Sequence, residues 1–343
     1  MNPQVQKIQQ YIEKSTKILI ATHIRPDWDA LASALLTEKI LQKKYPNKYI
    51  RVVIEKGTIP NGEYLPGYTE ILTDSFLTVV SEFDPDLIVI TDCPSVNRIS
   101  FSVSELEAWY HNNTIPIIAI DHHPPEDRML PEIVFSTPYN CAVEEVYELF
   151  ITECGYTQPA EIHRYLGAGI LNDTNNFRFM RVNNRHTFSL VEKILSEGHF
   201  IDEIDRQITR YTPDHLLVVA EFLQNHQSDE NVAYFWVTDE FAQAHPEISR
   251  DAYSIAKDAV NHYFLRNTTF KPIYLLLYPE GNGYKGSYRA LINTYDVAFF
   301  AKKLGGGGQQ PAAGFYLEAP SVETALAIAL NTVAEHKEQA KIS

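Results

Sequence analysis

The residues best suited to chemistry in this chain are aspartates and histidines, most of which stand just after short apolar runs. They are His23, Asp27, Asp29, Asp92, Asp121, His122, His123 and Asp173. Carboxylates and imidazoles without thiolates favour Mn²⁺, Mg²⁺, Fe²⁺ or Co²⁺ over a structural zinc ion. The residue types therefore predict a site for divalent cations.

Each of these residues also has an ordinary structural explanation when it is taken alone. An aspartate after a strand most often caps the next helix, which is the alternative for Asp29 and Asp92. Two adjacent histidines, such as His122 and His123, can lie in a surface turn that the following prolines complete. Taken together, so many acidic groups at one place would repel one another unless cations neutralise them. Because one ion cannot use all of these ligands and keep open positions, we expect two ions bridged by a carboxylate, the usual arrangement for hydrolysis of phosphate esters.

The first half of the chain alternates short β-branched runs with amphipathic helical stretches. Strands are predicted at 17–22, 49–55, 86–92 and 115–121, and helices at 29–45, 141–155 and 159–174. This order predicts an α/β fold with a doubly wound, mainly parallel sheet, whose ligands lie outside the carboxyl ends of the strands. Since neighbouring strands lie about 4.8 Å apart, the metal-capable residues should meet at one edge of the sheet.

The second half of the chain has a different pattern, and 343 residues exceed what one hydrophobic core usually supports. Residues 187–228 are helical and polar, and fresh strands are predicted at 232–239 and 272–280. We therefore predict a catalytic domain at 1–186, a helical linker at 187–230 and a smaller α/β substrate-binding domain at 231–343.

The composition limits the range of partners and locations. Hydrophobic residues make up 45% of the chain and charged residues 21%, as in a soluble globular protein. A net charge of -15 argues against binding of long duplex nucleic acid but is compatible with a small anion held by metal ions. The sequence contains no apolar run long enough for a membrane span and no apolar block of a signal peptide near its start, so we expect a cytoplasmic protein with no membrane partner.

Three cysteines without paired spacing, Cys93, Cys141 and Cys154, predict reduced thiols. The oligomeric state is left open, with a homodimer as one option.

The order of the motifs resembles a known superfamily. The run THIRPDWDALASAL, followed by TDCPS, DHH and LNDTNNFRF, is similar to the motifs of the DHH phosphoesterases. Farther on, GSYRALINTYDVAFFAKKLGGGGQQPAAGF resembles the DHH-associated C-terminal domain. The resemblance covers nearly the whole chain.

The resemblance implies a role for each matching residue. One metal ion would be held by His23 and Asp27, a second by Asp29, His122 and Asp173, and both by Asp92. His123 would lie beside the scissile phosphate, and Asp121 would orient the histidines. Asp92, Asp121 and His123 are thus the predicted catalytic residues, with two Mn²⁺ ions as the expected cofactors and Mg²⁺, Co²⁺ or Fe²⁺ as alternatives.

The resemblance also implies a substrate clamp, because a guanidinium and a run of backbone N–H groups can bind a phosphate. Its residues would be Ser287, Arg289, Gly305, Gly306, Gly307, Gly308, Gln309 and Arg178. The alternative is that the glycines form only a mobile turn. Gln309 stands where the family usually has histidine, and Cys141-Ala142-Val143 stands where many members have Ser-Ser-Thr. Both departures concern expected substrate contacts rather than metal ligands.

These features predict a phosphodiesterase or phosphatase that acts on short oligoribonucleotides, on linear dinucleotides such as pApA, or on pAp, through hydroxide generated at two metal ions. The oligoribonuclease and phosphoadenosine-phosphate phosphatase branch of the superfamily has this character, and it includes exonuclease-like cleavage of short RNA. One alternative is an inorganic pyrophosphatase or short-chain polyphosphatase. Another is a nucleotide-binding regulator with degenerate activity.

Overall fold

The computed structural model describes residues 2–57, 62–93, 95–123, 131, 133–180, 183–265, 271–291 and 294–342. The chain divides into two compact units, Met1–Arg210 and Tyr211–Ser343. This boundary lies within the segment 187–230, and the assignment of that segment as a linker stays a prediction. The turn predicted at Pro124 and Pro125 lies outside the described residues.

The first unit is built on a six-stranded parallel sheet with the order β3-β2-β1-β4-β5-β6. The strands are β1 (Lys17–Ala21), β2 (Tyr49–Ile54), β3 (Leu72–Thr73), β4 (Leu87–Thr91), β5 (Ile117–Ile120) and β6 (Ile133–Phe135). The winding direction reverses between β1 and β4, which are adjacent. In open sheets of this kind, ligands bind at the carboxyl ends of the strands that flank the reversal.

Helices cover the sheet of the first unit, and apolar side chains of the central strands are buried in two separate cores. The α-helices are Pro3–Lys14, Trp28–Lys44, Phe76–Phe83, Val103–Asn112, Ala142–Tyr147, Ile162–Thr174, Asn184–Ser196 and Ile201–Ile208. Short 3₁₀-helices lie at Tyr68–Glu70 and Val96–Arg98, and a π-helix lies at Glu148–Glu153. β4 is buried along its whole length, as its four consecutive apolar residues before Thr91 lead one to expect.

The predicted doubly wound α/β fold is confirmed, with differences in detail. The four predicted strands correspond to β1, β2, β4 and β5, whereas the two short outer strands, β3 and β6, were not predicted. The helix predicted at 141–155 is an α-helix that changes to a π-helix at Glu148. The described cysteines are free thiols, as predicted.

The second unit contains a six-stranded mixed sheet with the order β11-β12-β10-β9-β8-β7. Its strands are β7 (His226–Ser228), β8 (Val232–Trp236), β9 (Ile273–Glu280), β10 (Gly283–Ala290), β11 (Gly307–Gln309) and β12 (Ala312–Leu317). Among these described strands, β8 and β9 pair in parallel and the other neighbours pair antiparallel. Its α-helices are Pro213–Gln224, Asp239–Ala244, Arg250–Ala259, Val297–Lys303 and Val322–Ala340, and a π-helix lies at Val260–Leu265. No helix in the described ranges has the length and apolar character that crossing a bilayer would demand.

Candidate metal centre

Three neighbouring strands deliver the central side chains of the site. Asp92 follows β4 directly, His23 comes two residues after β1, and the Asp121–His123 tripeptide begins where β5 ends. Because β1, β4 and β5 are adjacent and parallel, their carboxyl ends lie at the same edge of the sheet. The residues therefore meet at the point where the winding of the sheet reverses.

Asp27 and Asp29 enter the site at the start of helix Trp28–Lys44. Asp27 caps this helix, since its Oδ1 accepts hydrogen bonds from the backbone N–H groups of Asp29 and Ala30, both at 3.0 Å. The Asp29 side chain is fully buried and accepts hydrogen bonds from the backbone N–H groups of Ala142, at 2.6 Å, and Val143, at 3.0 Å. The helix cap is therefore Asp27 and not Asp29, and Asp29 instead accepts from the first N–H groups of helix Ala142–Tyr147. Both carboxylates also belong to the groups of candidate metal ligands.

Gly169 allows the helix that carries Asp173 to pack close to the other candidate ligands. Asp173 lies near the end of helix Ile162–Thr174, and the same helix presents Gly169 to the carboxylate of Asp29. A Cβ atom at Gly169 would overlap Asp29 Oδ1 and would lie 2.6 Å from Val143 Cγ1. Only glycine permits the helix to pack this closely, and this packing brings Asp173 to the other ligands.

The candidate ligand atoms form overlapping groups whose members lie within 4.8 Å of one another. The groups are His23, Asp27 and Asp92; Asp29, His122 and Asp173; and Asp92, Asp121, His122 and His123. Every metal ligand predicted from the sequence belongs to one of the first two groups.

The carboxylate of Asp92 lies between the first two groups. Its Oδ2 is 3.6 Å from His23 Nε2, and its Oδ1 is 3.5 Å from His122 Nε2. His122 Nε2 is in turn 3.3 Å from Asp173 Oδ2. One oxygen of Asp92 therefore faces each group, which is the placement that a bridging carboxylate needs.

Asp121 holds His123 in a fixed orientation. The side chain of Asp121 is buried, and its Oδ1 lies 2.9 Å from His123 Nδ1 while it also accepts a hydrogen bond from the His123 backbone N–H at 3.3 Å. Such a contact sets the direction of an imidazole ring and its tautomer.

The electrostatics of the cluster favour positive charge among its carboxylates. Burial raises the pKa of Asp29 well above its usual value, and the neighbouring Asp173 and Asp92 carboxylates raise it further. Burial also acts to raise the pKa of Asp92, but its polar contacts with His122 and His23 prevail and lower it. Burial acts to lower the pKa values of the two imidazoles, yet Asp92 raises that of His23 to about 9, and Asp173 with Asp92 raises that of His122 to about 12. Protons on the histidines thus supply the positive charge that the carboxylates require.

Two buried atoms at the centre of the cluster support a fit to metal ions. Within the described ranges, Asp92 Oδ1 and His122 Nε2 make no hydrogen bond. Asp92 also has a left-handed backbone conformation, with φ of 50°, which is unfavourable for a residue with a side chain. Buried polar atoms without partners cost free energy, and a divalent cation would satisfy both atoms at once. The residues present therefore fit a pair of divalent ions.

A separate basic pocket lies within the second unit. Ser287 and Arg289 on β10 and the neighbouring glycines Gly307 and Gly308 on β11 line a cavity of about 220 Å³. Arg289 Nη1 donates hydrogen bonds to Ser287 Oγ and to the backbone carbonyl of Tyr288, the latter at 2.9 Å. The structure thus brings four of the predicted substrate-binding residues together.

The other predicted contacts lie apart from this cavity lining. Gly306 packs against the backbone at Gly314, Gly305 is in a left-handed turn, and Gln309 is exposed on β11. Arg178 belongs to the first unit, where it is exposed in the loop after helix Ile162–Thr174.

Two lysines of the pocket were not predicted from the sequence. Lys285 also lines the cavity. It precedes Ser287 by two residues and Arg289 by four, so the three side chains lie on one face of β10. The alternation of side chains along a strand could therefore have predicted this residue from the sequence. Lys257 comes from helix Arg250–Ala259, and the sequence carries no local signal for its position in the pocket.

The fold and the carboxylate–histidine cluster define a two-unit α/β protein with a candidate dinuclear metal centre at the reversal of a parallel sheet. Residues 17–170 match the DHH family, N-terminal domain, so this chain carries a domain of the DHH family. The resemblance inferred from the motifs is confirmed.

Several known proteins are similar to this chain over nearly its whole length. The bifunctional oligoribonuclease and PAP phosphatase NrnA of Mycoplasma pneumoniae is 27% identical over 311 residues, which are 90% of this chain and 89% of that protein. A crystal structure of an exopolyphosphatase-related protein from Bacteroides fragilis has a TM-score of 0.83 at 24% identity, covering 98% of this chain and 97% of the other. The structure of exonuclease RecJ bound to manganese has a TM-score of 0.51 at 14% identity, covering 97% and 93%. The two structural likenesses establish the fold.

Proposed function

We propose that this protein is a metal-dependent phosphoesterase that hydrolyses short nucleotide substrates, namely short oligoribonucleotides, linear dinucleotides such as pApA, or pAp. The observation that carries the proposal is the placement of Asp92, with one carboxylate oxygen 3.6 Å from His23 and the other 3.5 Å from His122. The name of the Mycoplasma pneumoniae relative supports the class of substrate.

The metal ligands divide into two sets around Asp92. His23 and Asp27 would hold one ion, and Asp29, His122 and Asp173 would hold the other. Bound at these positions, two divalent ions would lower the pKa of a water molecule to near neutrality and offset the charge of the phosphate. Carboxylate and imidazole ligands favour Mn²⁺ first, with Mg²⁺, Co²⁺ and Fe²⁺ as alternatives.

His123 would contact the substrate, and Asp121 would orient His123. His123 Nδ1 lies 2.9 Å from Asp121 Oδ1, so Asp121 would keep the ring in place for a hydrogen bond to a phosphate oxygen. Because Asp121 is buried, this contact would persist when substrate enters.

The basic pocket of the second unit would bind the phosphate or base of the substrate that is not cleaved. Lys257, Lys285 and Arg289 place three cationic side chains around about 220 Å³. One carboxylate outside the lining, that of Asp258, lies 3.0 Å from Lys257 and 3.9 Å from Arg289, so it offsets only part of this charge. Such an excess of positive charge favours an anionic ligand. The overall charge of -15 disfavours long duplex nucleic acid as the substrate. We also propose that the protein is located in the cytoplasm.

The direct test is hydrolysis of pApA, pAp, short RNA and pyrophosphate in the presence of Mn²⁺, with Asp92→Asn as the test variant. Removing a group that supports a ligand usually costs roughly 10- to 100-fold, so loss of the bridging ligand itself should cost more. The matched control is Asp84→Asn, which changes an exposed aspartate at the opposite end of β4, in a left-handed conformation that asparagine tolerates.

The outcomes separate the candidate functions. Full turnover by Asp92→Asn at equal metal content would contradict the two-metal assignment. Pyrophosphate as the only substrate would identify a pyrophosphatase, and nucleotide binding without turnover of any substrate would identify a regulator.

A further inference from the structure

A second polar pocket lies in the first unit, away from the metal centre. It has a volume of about 430 Å³, and its lining includes Tyr64, His163, Arg164, His199, Phe200 and Arg206. Arg164 and Asp173 belong to the same helix, nine residues apart, so roughly 14 Å of helix separates Arg164 of the pocket from this candidate metal ligand. The pocket is therefore a distinct site.

The lining of the pocket contains more basic side chains than acidic ones. The imidazole rings of His163 and His199 are stacked with centroids 3.3 Å apart and planes 13° apart, next to Arg164 and Arg206. Within the described part of the chain, the buried Nδ1 of His163 makes no hydrogen bond. Burial lowers the pKa of His163, and the neighbouring His199 and Arg164 lower it further. An anion in the pocket would pair with the adjacent arginines and would act against this lowering of the His163 pKa.

The acidic groups near the pocket leave its arginines able to bind an anionic ligand. Glu203 is the acidic residue of the lining, and Glu161 and Glu197 outside the lining lie near enough to His163 to favour its charged form. Asp202 pairs with Arg206 at 2.9 Å, but the two side chains are 71% and 69% exposed, so this ion pair contributes little and can open. Arg164 donates to the backbone carbonyl of Tyr64 at 3.3 Å and lies over the Tyr64 ring, which fixes the direction of its guanidinium.

Aromatic surface accompanies the cationic groups. Phe200 is 59% exposed at the edge of the pocket, and the ring of Tyr64 forms another wall. The volume lies within the range of small-molecule sites and is far larger than a phosphate ion requires. We propose that this pocket is a second ligand site for a small phosphorylated aromatic compound, with a nucleoside monophosphate as its ligand class.

Occupation of this site would be transmitted to the metal centre through two helices. Helix Ile162–Thr174 carries His163 and Arg164 at one end and Asp173 at the other. Helix Ile201–Ile208 lines the pocket and accepts a hydrogen bond through Asp205 from the side chain of Asn176, at 3.2 Å. The backbone at Asn175, Asn176 and Phe177 is left-handed, directly after the helix that holds Asp173. A ligand that stabilises helix Ile201–Ile208 would therefore also stabilise this loop.

The test is calorimetric titration of the metal-free protein with AMP, adenosine and inorganic phosphate, in an Arg289→Ala background that removes a main cation of the second-unit pocket. We expect AMP to bind more tightly than adenosine or phosphate, and Arg206→Gln to raise its Kd about tenfold, as expected for loss of a charge-assisted contact. Phe200→Ser should also weaken AMP while leaving phosphate binding unchanged. The matched control is Arg185→Gln, which removes another exposed helical arginine outside the pocket lining.

The proposal is overturned if AMP does not bind, if phosphate binds as tightly as AMP, or if Arg206→Gln and Arg185→Gln bind AMP equally. AMP binding that is present in the parent chain and lost in the Arg289→Ala background would place the ligand in the second unit and would overturn it too. The transmission is tested by hydrogen exchange of residues 174–180, which AMP should slow in the parent protein but not in Arg206→Gln; equal exchange with and without AMP would refute it. No readout depends on turnover, so these results stand apart from the test of the phosphoesterase proposal.

Discussion

Binding of Mn²⁺ to the carboxylate–histidine cluster should release protons and should therefore become tighter as the pH rises. In the metal-free protein the pKa of His23 is raised to about 9 and that of His122 to about 12, mainly because Asp92 and Asp173 stabilise their charged forms against the effect of burial. Both rings carry a proton at pH 7, and an imidazole binds a metal ion only after losing it.

The size of the effect follows from counting these protons. Each proton that the metal ion must displace raises the apparent Kd about tenfold for each pH unit below the pKa of the group that loses it. A change from pH 7 to pH 8 should therefore tighten binding about a hundredfold when both histidines become ligands. Above pH 9, where His23 has already lost its proton, the dependence should fall to about tenfold for each unit.

The assay is calorimetric titration with Mn²⁺ at pH 7 in two buffers that differ in ionisation enthalpy, since the difference in heat counts the protons released. Wild type should release about two protons from the imidazoles, and His23→Gln should release about one. His111→Gln, which changes an exposed histidine outside the site, should match wild type. If wild type releases no protons, or if His23→Gln releases as many as wild type, the assignment of these imidazoles as metal ligands is refuted.

Three further substitutions test the surroundings of the two sites. Arg289→Ala should raise KM for a nucleotide roughly ten- to a hundredfold while turnover of a minimal phosphoester changes little, and equal kinetics on every nucleotide would show that the second-unit pocket does not bind substrate. Gln309→His should tighten nucleotide binding below about pH 6.5, where the new imidazole is charged, and a Kd independent of pH would contradict this expectation. Gly169→Ala should weaken Mn²⁺ binding, because the new methyl group would displace the Asp29 carboxylate, as metal titration would detect. Gly167→Ala, on the same helix, would meet the buried side chain of Ile204, with Cδ1 at 2.5 Å and Cγ2 at 3.0 Å, and no candidate metal ligand, so it should leave Mn²⁺ affinity unchanged. Equal loss in both variants would argue against the Gly169 contact.

The local pattern of the sequence was sufficient to predict the central strands and the convergence of the candidate ligands. The apolar runs before His23, Asp92 and Asp121 are long and β-branched, so they predict β1, β4 and β5 without reference to the rest of the chain. Parallel strands present their carboxyl ends at one edge, so the residues that follow them have to meet there. Strands of two or three residues, such as β3 and β6, carry too little periodicity to be distinguished from loops.

The remaining features depend on contacts between residues far apart in the chain. Asp29 is held by the backbone N–H group of Ala142, 113 residues away, and this bond is made by the main chain, so the identity of the residue there gives no sign of it. Gly169 reads as a permissive helical glycine in the sequence, and only the packing of its helix against Asp29 shows why a side chain would not fit. Lys257 of a helix and Lys285 of a strand both line the second-unit pocket. They meet only because the helix packs against the sheet, which the local sequence does not show. Residue types and periodicity determined which groups are available for chemistry, whereas the packing of distant elements decided which partners surround them, because that packing is set by the whole core at once.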